Sequence, residues 1–223
     1  MSIAENLKNV KQELTENVRL VAISKTKPNE AILEAYEAGQ KVFGENRVQE
    51  LAQKHEELPK DIEWHMVGHL QSNKVKYIAP FVHLIHGVDK AKLIKEIDKQ
   101  AKKHDRVIDV LLQFHIAEEE TKFGFNYEEA EEMLNNSKFK EYENVRICGV
   151  MGMATFTEDE DQIRKEFKQL AKFFQQLKTN YYKDSEHFKE ISMGMTNDYK
   201  IAIEEGATLV RIGSLIFGKR NNN

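Results

Sequence analysis

Cysteine is nearly missing from this chain of 223 residues; Cys148 is the only one. A single cysteine excludes an internal disulfide and a multi-cysteine zinc site, and it points to a reducing compartment. Proline is scarce, with 3 residues. No linker, repeat or low-complexity block interrupts the chain, so one domain is expected over 1–223. Positive charge is not in excess: the formal charge is -4, which gives no global basic field for nucleic acid. Long hydrophobic runs are also lacking. The opening residues hold no apolar core of signal-peptide length, and no run is long enough to span a membrane. A cytoplasmic protein with neither membrane nor nucleic-acid partners is expected.

What is present is a composition of 40% hydrophobic and 31% charged residues, typical of a globular chain with helices rich in Lys and Glu. Strand-length apolar runs fall at Leu20–Ile23, Lys41–Phe43, Ile62–Val67, Phe81–Ile85, Val107–Phe114, Val145–Met151, near Phe188–Ile191, and at Thr208–Ile212. Helical patterns lie between them. Leu93, Ile94, Ile97 and Ala101 recur near a period of 3.6, as do Phe167, Leu170, Ala171, Phe174 and Leu177. Residues 1–17 read as an added helix before the first strand, and 219–223 as a disordered polar tail. Alternating strands and helices indicate a parallel sheet with crossover helices. Eight strands and this length suit a closed TIM-type (β/α)8 barrel. A doubly wound open sheet is the alternative. No Gly-x-Gly-x-x-Gly follows the first strand, which removes its dinucleotide-binding version.

In such barrels the chemistry sits at the carboxyl ends of the strands. The first strand ends in Ser24-Lys25-Thr26-Lys27-Pro28, which places the amine of Lys25 there. Lys25 is either a surface lysine or a nucleophile toward a carbonyl, as in a Schiff base. The eighth strand delivers Arg211, Gly213 and Ser214. A short helix starting there would aim free N–H groups at an anion, and barrels often bind phosphate after strands seven and eight; the plainer reading is a turn. Ser192 to Asp198 read as the turn after strand seven. Met193 and Met195 could line an apolar slot there, Thr196 offers a hydroxyl, and Asn197 or Asp198 serves equally as a helix cap. Asn46, His65, His69 and His115 sit at or near other strand ends. His65, His69, His83 and His86 invite a metal reading, but no neighbouring carboxylate pattern completes a ligand set, and none is assigned. Cys148 reads as a buried small hydrophobe.

Several segments occur in a familiar order: Ser-Lys-Thr-Lys-Pro, Phe-Gly-Glu-Asn-Arg-Val-Gln-Glu, Trp-His-Met-Val-Gly-His-Leu-Gln-Ser-Asn-Lys, Gly-Val-Met-Gly-Met, Ser-Met-Gly-Met-Thr-Asn-Asp and Val-Arg-Ile-Gly-Ser-Leu-Ile-Phe-Gly. Over about Arg19 to Gly218 the chain resembles the pyridoxal phosphate homeostasis protein family, also called the YggS or PROSC family. The resemblance implies the barrel of the alanine racemase N-terminal domain, the fold type III of pyridoxal 5'-phosphate (PLP) proteins without the C-terminal β domain. It implies PLP held as a Schiff base on Lys25. It also implies phosphate contacts from Thr196, Gly213, Ser214 and the Met195 backbone, Arg211 at the pyridine nitrogen, and Asn46 and His65 near the ring. Arg211 there would disfavour protonation of that nitrogen and weaken the ring as an electron sink. The family's expected role is a PLP carrier and buffer in vitamin B6 homeostasis. Its expected partners are PLP-dependent apoenzymes, its state monomer or weak dimer, and amino-acid homeostasis is affected. No racemase activity is expected, because the second base of alanine racemase comes from the additional domain. A PLP-dependent racemase or lyase is the alternative, and a sugar-phosphate enzyme with a Schiff-base Lys25 a further one. Departures from the family pattern fall at Thr196, where relatives often have Ser, at Phe114-His115, and at Thr121-Lys122. Lys27 and Lys122 are candidate second amines.

Overall fold

Short runs rich in Val, Ile and Leu pair side by side, each strand with the next in the chain and all parallel. A computed structural model describes residues 2–118 and 123–218. Helix α1 (Ile3–Gln12) precedes strand β1 (Arg19–Ile23). Then follow α2 (Asn29–Glu37), β2 (Val42–Glu45), α3 (Val48–Glu57) and β3 (Glu63–Met66). A 3-10 turn (Ser72–Tyr77) leads to β4 (Leu84–Val88), α4 (Ala91–Lys102) and β5 (Ile108–Gln113). The second half contains α5 (Tyr127–Asn135), a 3-10 turn (Ser137–Glu141), β6 (Val145–Met151), α6 (Glu160–Tyr181), β7 (Glu190–Met195), α7 (Tyr199–Glu204), β8 (Leu209–Ile212) and α8 (Ser214–Phe217). β1 pairs with β8 from Arg19–Leu209 to Ala22–Ile212, which closes the barrel.

Successive strand residues point to opposite faces, so two apolar layers form. Outward-facing residues such as Phe43, Trp64 and Val110 pack under the helices. Each helix contributes one stripe; α6 buries Ile163, Phe167, Leu170, Phe174 and Leu177, and Asp159 caps its start. Val21, Leu84, Leu111, Cys148, Met151 and Leu209 fill a smaller cluster inside the barrel. Gly149 faces Glu190 in the β6–β7 register. Its φ is 154°, and a Cβ there would lie 1.8 Å from the Glu190 carbonyl oxygen. α1 rests on the far end of the chain, where Asn6 Nδ2 donates to the Ile216 carbonyl at 3.1 Å. No helix among the described residues is long and apolar enough to cross a membrane.

Several expectations need correction or fall outside the described residues. β4 begins at Leu84 rather than Phe81, whose ring instead stacks on His55 of α3 at 3.8 Å. β7 begins at Glu190 rather than Phe188, which stacks on Phe174 and Tyr182 outside the sheet. Ser192 to Met195 are therefore strand, not turn. The polar tail 219–223 and Lys122 lie outside the described residues.

Candidate functional site

Lys25 occupies a tight turn at the carboxyl end of β1. Ser24 N–H donates to the Gly44 carbonyl of β2 at 3.1 Å, and Lys27 N–H donates to the Ser24 carbonyl at 3.0 Å. Lys25 is thus the second residue of a four-residue turn. Thr26, the third, has φ 63°, the left-handed conformation required at that position of a type II turn. That conformation is held from α3: Thr26 N–H donates to Glu50 Oε1 at 2.6 Å. Lys54 Nζ donates to the same oxygen, to the Ser24 carbonyl and to Glu45 Oε1. Ser24 Oγ donates to Glu45 Oε1 at 2.6 Å. Lys54 and Glu45 are both buried, and burial pushes the Glu45 carboxyl up while the Lys54 ammonium opposes the shift. Lys27, the candidate second amine, donates through Nζ to the carbonyls of Phe217 and Gly218 and ties down the end of α8.

The turn opens onto a cavity of about 490 Å³ at the carboxyl ends of the strands, lined by Lys25, Asn46, Met195, Thr196, Arg211, Gly213 and Ser214 among others. Small-ligand sites run to about 300–1,000 Å³. Ser214 Oγ donates to Thr196 Oγ1 at 3.1 Å, so the hydroxyls that follow β7 and β8 meet. Gly213 sits at a close approach: a Cβ there would lie 3.0 Å from the Ile23 carbonyl oxygen of β1, a tight contact. The Met195 N–H, expected to serve a phosphate, donates instead to Asp198 Oδ1 at 2.5 Å. Asp198 thereby closes its loop rather than capping α7 with its side chain.

Arg211 is buried beneath the cavity. Its Nη1 donates to Ser192 Oγ at 2.6 Å and its Nη2 to the Gly152 carbonyl at 3.1 Å. Burial pushes the guanidinium down to about 10, opposed by Asp198, and it remains cationic at neutral pH. His65 does not line the cavity. It lies inside the barrel, fully buried, with Nδ1 2.9 Å from His86 Nε2; His86 Nδ1 is 2.8 Å from Ser192 Oγ. A continuous polar chain thus runs from Arg211 through Ser192 and His86 to His65. Burial holds both imidazoles well below the ordinary histidine range, hence neutral. Cys148 is buried, and burial drives its thiol up to about 12.

Two features escaped the sequence. Gln113, the last residue of β5, lines the cavity where His115 was expected, and its Nε2 donates to the Phe123 carbonyl at 2.9 Å. The strand's alternation from inward-facing Leu111 was the available signal. The carboxylate thought missing from the histidine group is Glu63. Ligand atoms of Glu63, His65 and His83 all lie within 4.8 Å of one another. Glu63 and His65 stand two apart on one strand and so share a face.

A family model described as "Alanine racemase, N-terminal domain" matches residues 1–221. A pyridoxal phosphate homeostasis protein of Aquifex aeolicus is 43% identical over 203 residues, covering 91% of this chain and 87% of that protein. The structure of PipY from Synechococcus elongatus without PLP superimposes with a TM-score of 0.91 at 35% identity, over 97% of this chain and 100% of that one. PipY with PLP bound gives 0.87 at 34% identity, with the same coverage. An alanine racemase of Clostridium difficile shares the fold alone, with a TM-score of 0.75 at 13% identity; this chain matches over its full length and covers 57% of that one. The chain therefore belongs to the alanine racemase N-terminal domain family and, within it, to the pyridoxal phosphate homeostasis proteins.

Proposed function

We propose that this chain binds PLP in the cavity at the strand ends and acts as a carrier and buffer of that cofactor. One observation carries the reading: an amine (Lys25), two touching hydroxyls (Thr196 and Ser214) and a buried guanidinium (Arg211) line a single cavity of suitable size. The donor set fits the group. When bound, PLP supplies an electrophilic aldehyde on an electron-withdrawing pyridine ring. Lys25 would supply the amine for the aldehyde carbon, presented by a turn that α3 holds in one conformation. Thr196, Ser214 and the first N–H groups of α8, which lack intrahelical partners, would hold the phosphate. Asn46, in the cavity wall, would flank the ring.

Arg211, buried at the cavity, would face the ring nitrogen. A guanidinium only donates hydrogen bonds and carries a positive charge, so it opposes a proton on that nitrogen and leaves the ring a weak electron sink. Such a site favours holding and releasing the cofactor over amino-acid carbanion chemistry. Amino-acid balance then responds indirectly, through the PLP-dependent apoenzymes supplied.

The test is borohydride reduction of the PLP-loaded protein followed by peptide mass spectrometry. Expected are label on the Lys25 peptide, loss of the visible absorbance band in Lys25→Ala, and no product from a panel of amino acids. Label on another lysine, or none, overturns the site. Turnover of an amino acid overturns the carrier role in favour of a racemase or lyase.

A further inference from the structure

At the end of the barrel opposite the cavity, we propose that Glu63, His65 and His83 form a binding site for a divalent first-row transition-metal cation of the Zn²⁺ type. Glu63 is the first residue of β3, and His83 immediately precedes β4, so both stand at the amino ends of the strands. His65 reaches them from within. The three ligand atoms lie within 4.8 Å of one another, and His83 Nε2 is 3.5 Å from Glu63 Oε2. Zinc holds His nitrogen and carboxylate oxygen at about 2.0–2.2 Å, which places tetrahedral ligands about 3.3 Å apart. The Glu63–His83 spacing already approaches that value. Both side chains are partly exposed, 39% and 48%, and free to close the remaining distance to His65.

The second, independent observation is His65 itself. Its ring is fully buried, yet Nε2 has no hydrogen-bond partner. Nδ1 is engaged by His86, so Nε2 is the nitrogen left for the cluster. Both contacts admit either donor order; the one a metal would select has His65 Nδ1–H donating to His86 Nε2 and His86 Nδ1–H donating to Ser192 Oγ. Arg211 donates to the same Ser192 oxygen. That order leaves a lone pair on His65 Nε2, the ring nitrogen without a hydrogen-bond partner. A ligating histidine whose other ring nitrogen donates to a fixed partner is the usual outer-shell arrangement at a metal. Arg19, the nearby cation, is occupied by Glu190 at 3.1 Å. Two histidines and one carboxylate are a donor set for zinc or its first-row neighbours and leave positions for water.

The site is independent of the cofactor reading and is tested on the full chain as purified. Zn²⁺ is titrated against a competing chelator, and Co²⁺ is added separately to read its ligand-field spectrum. Expected are one equivalent of Zn²⁺ bound, and affinity lowered by at least the about 10–100-fold that an outer-shell change produces in both His83→Ala and Glu63→Gln. The Co²⁺ spectrum should change in the same variants. Because both positions are partly exposed, metal-free unfolding temperatures should match the parent, so a loss of binding is not a loss of fold. Equal binding by the His83→Ala/Glu63→Gln double variant would place the metal on other histidines and overturn the site. Failure of the parent protein to take up one equivalent overturns it as well.

Discussion

Two buried side chains show what individual residues contribute. Lys54 links Ser24, Glu45 and Glu50 beneath the Lys25 turn. Replacing it with methionine keeps the volume but strands the Glu45 carboxylate, one oxygen of which already lacks a partner. Breaking a buried pair in this way costs about 3–5 kcal/mol, so urea unfolding of Lys54→Met should show a loss of that size; an unchanged midpoint would mean that Glu45 is not held as an anion by this lysine. Cys148 is the opposite case, a group kept inert. Its thiol rises from an ordinary 9.0 to about 12, which leaves about a thousandfold less thiolate at any pH below that range. Only the thiolate attacks. A thiol-specific reagent should therefore label native protein at least about a thousandfold more slowly than unfolded protein at mildly alkaline pH. Equal rates would contradict the burial of Cys148.

Elements are legible in the sequence where their boundaries coincide with a change in chemistry. β6 reads as Val145–Met151, its observed limits, because Asn144 and Gly152 flank a run in which Arg146 is the one charged residue. β4 and β7 begin two or three residues later than the apolar runs suggest, for one shared reason. Phe81 and Phe188 are apolar but pack on rings outside the sheet, while His86 and Ser192 are polar yet point into the barrel. A barrel interior that carries a polar chain defeats an apolar-run criterion. The same cause moved His65 away from the mouth, since its position in the sequence does not report its depth along the strand. That Lys25, Thr196, Arg211 and Ser214 line one cavity is legible in the sequence, because in this architecture the strand ends share one mouth. At element scale the sharpest test is Gly149→Ala. With the Glu190 carbonyl 1.8 Å from the added carbon, β6 and β7 must separate. A loss of about 3 kcal/mol or more is expected, measured as a fall in unfolding temperature or a failure to fold. An alanine variant as stable as the parent would mean that the two strands do not approach this closely.

The whole molecule has two chemically distinct ends joined by one interior chain. The mouth gathers an amine, hydroxyls and a guanidinium, and the opposite face gathers two imidazoles and a carboxylate. His86 and Ser192 lie between them. Barrel closure also sets an order of events. β1, made first among the strands, bonds along its length to β8, made last. Contacts so far apart in sequence form late, because the loop entropy must be spent before they contribute. Lys25 therefore leaves the ribosome long before Arg211 and Ser214, and the cavity they share does not exist in the nascent chain. Any capture of a ligand there follows synthesis, and a chain halted before its eighth strand would carry the Lys25 amine without the walls that enclose it.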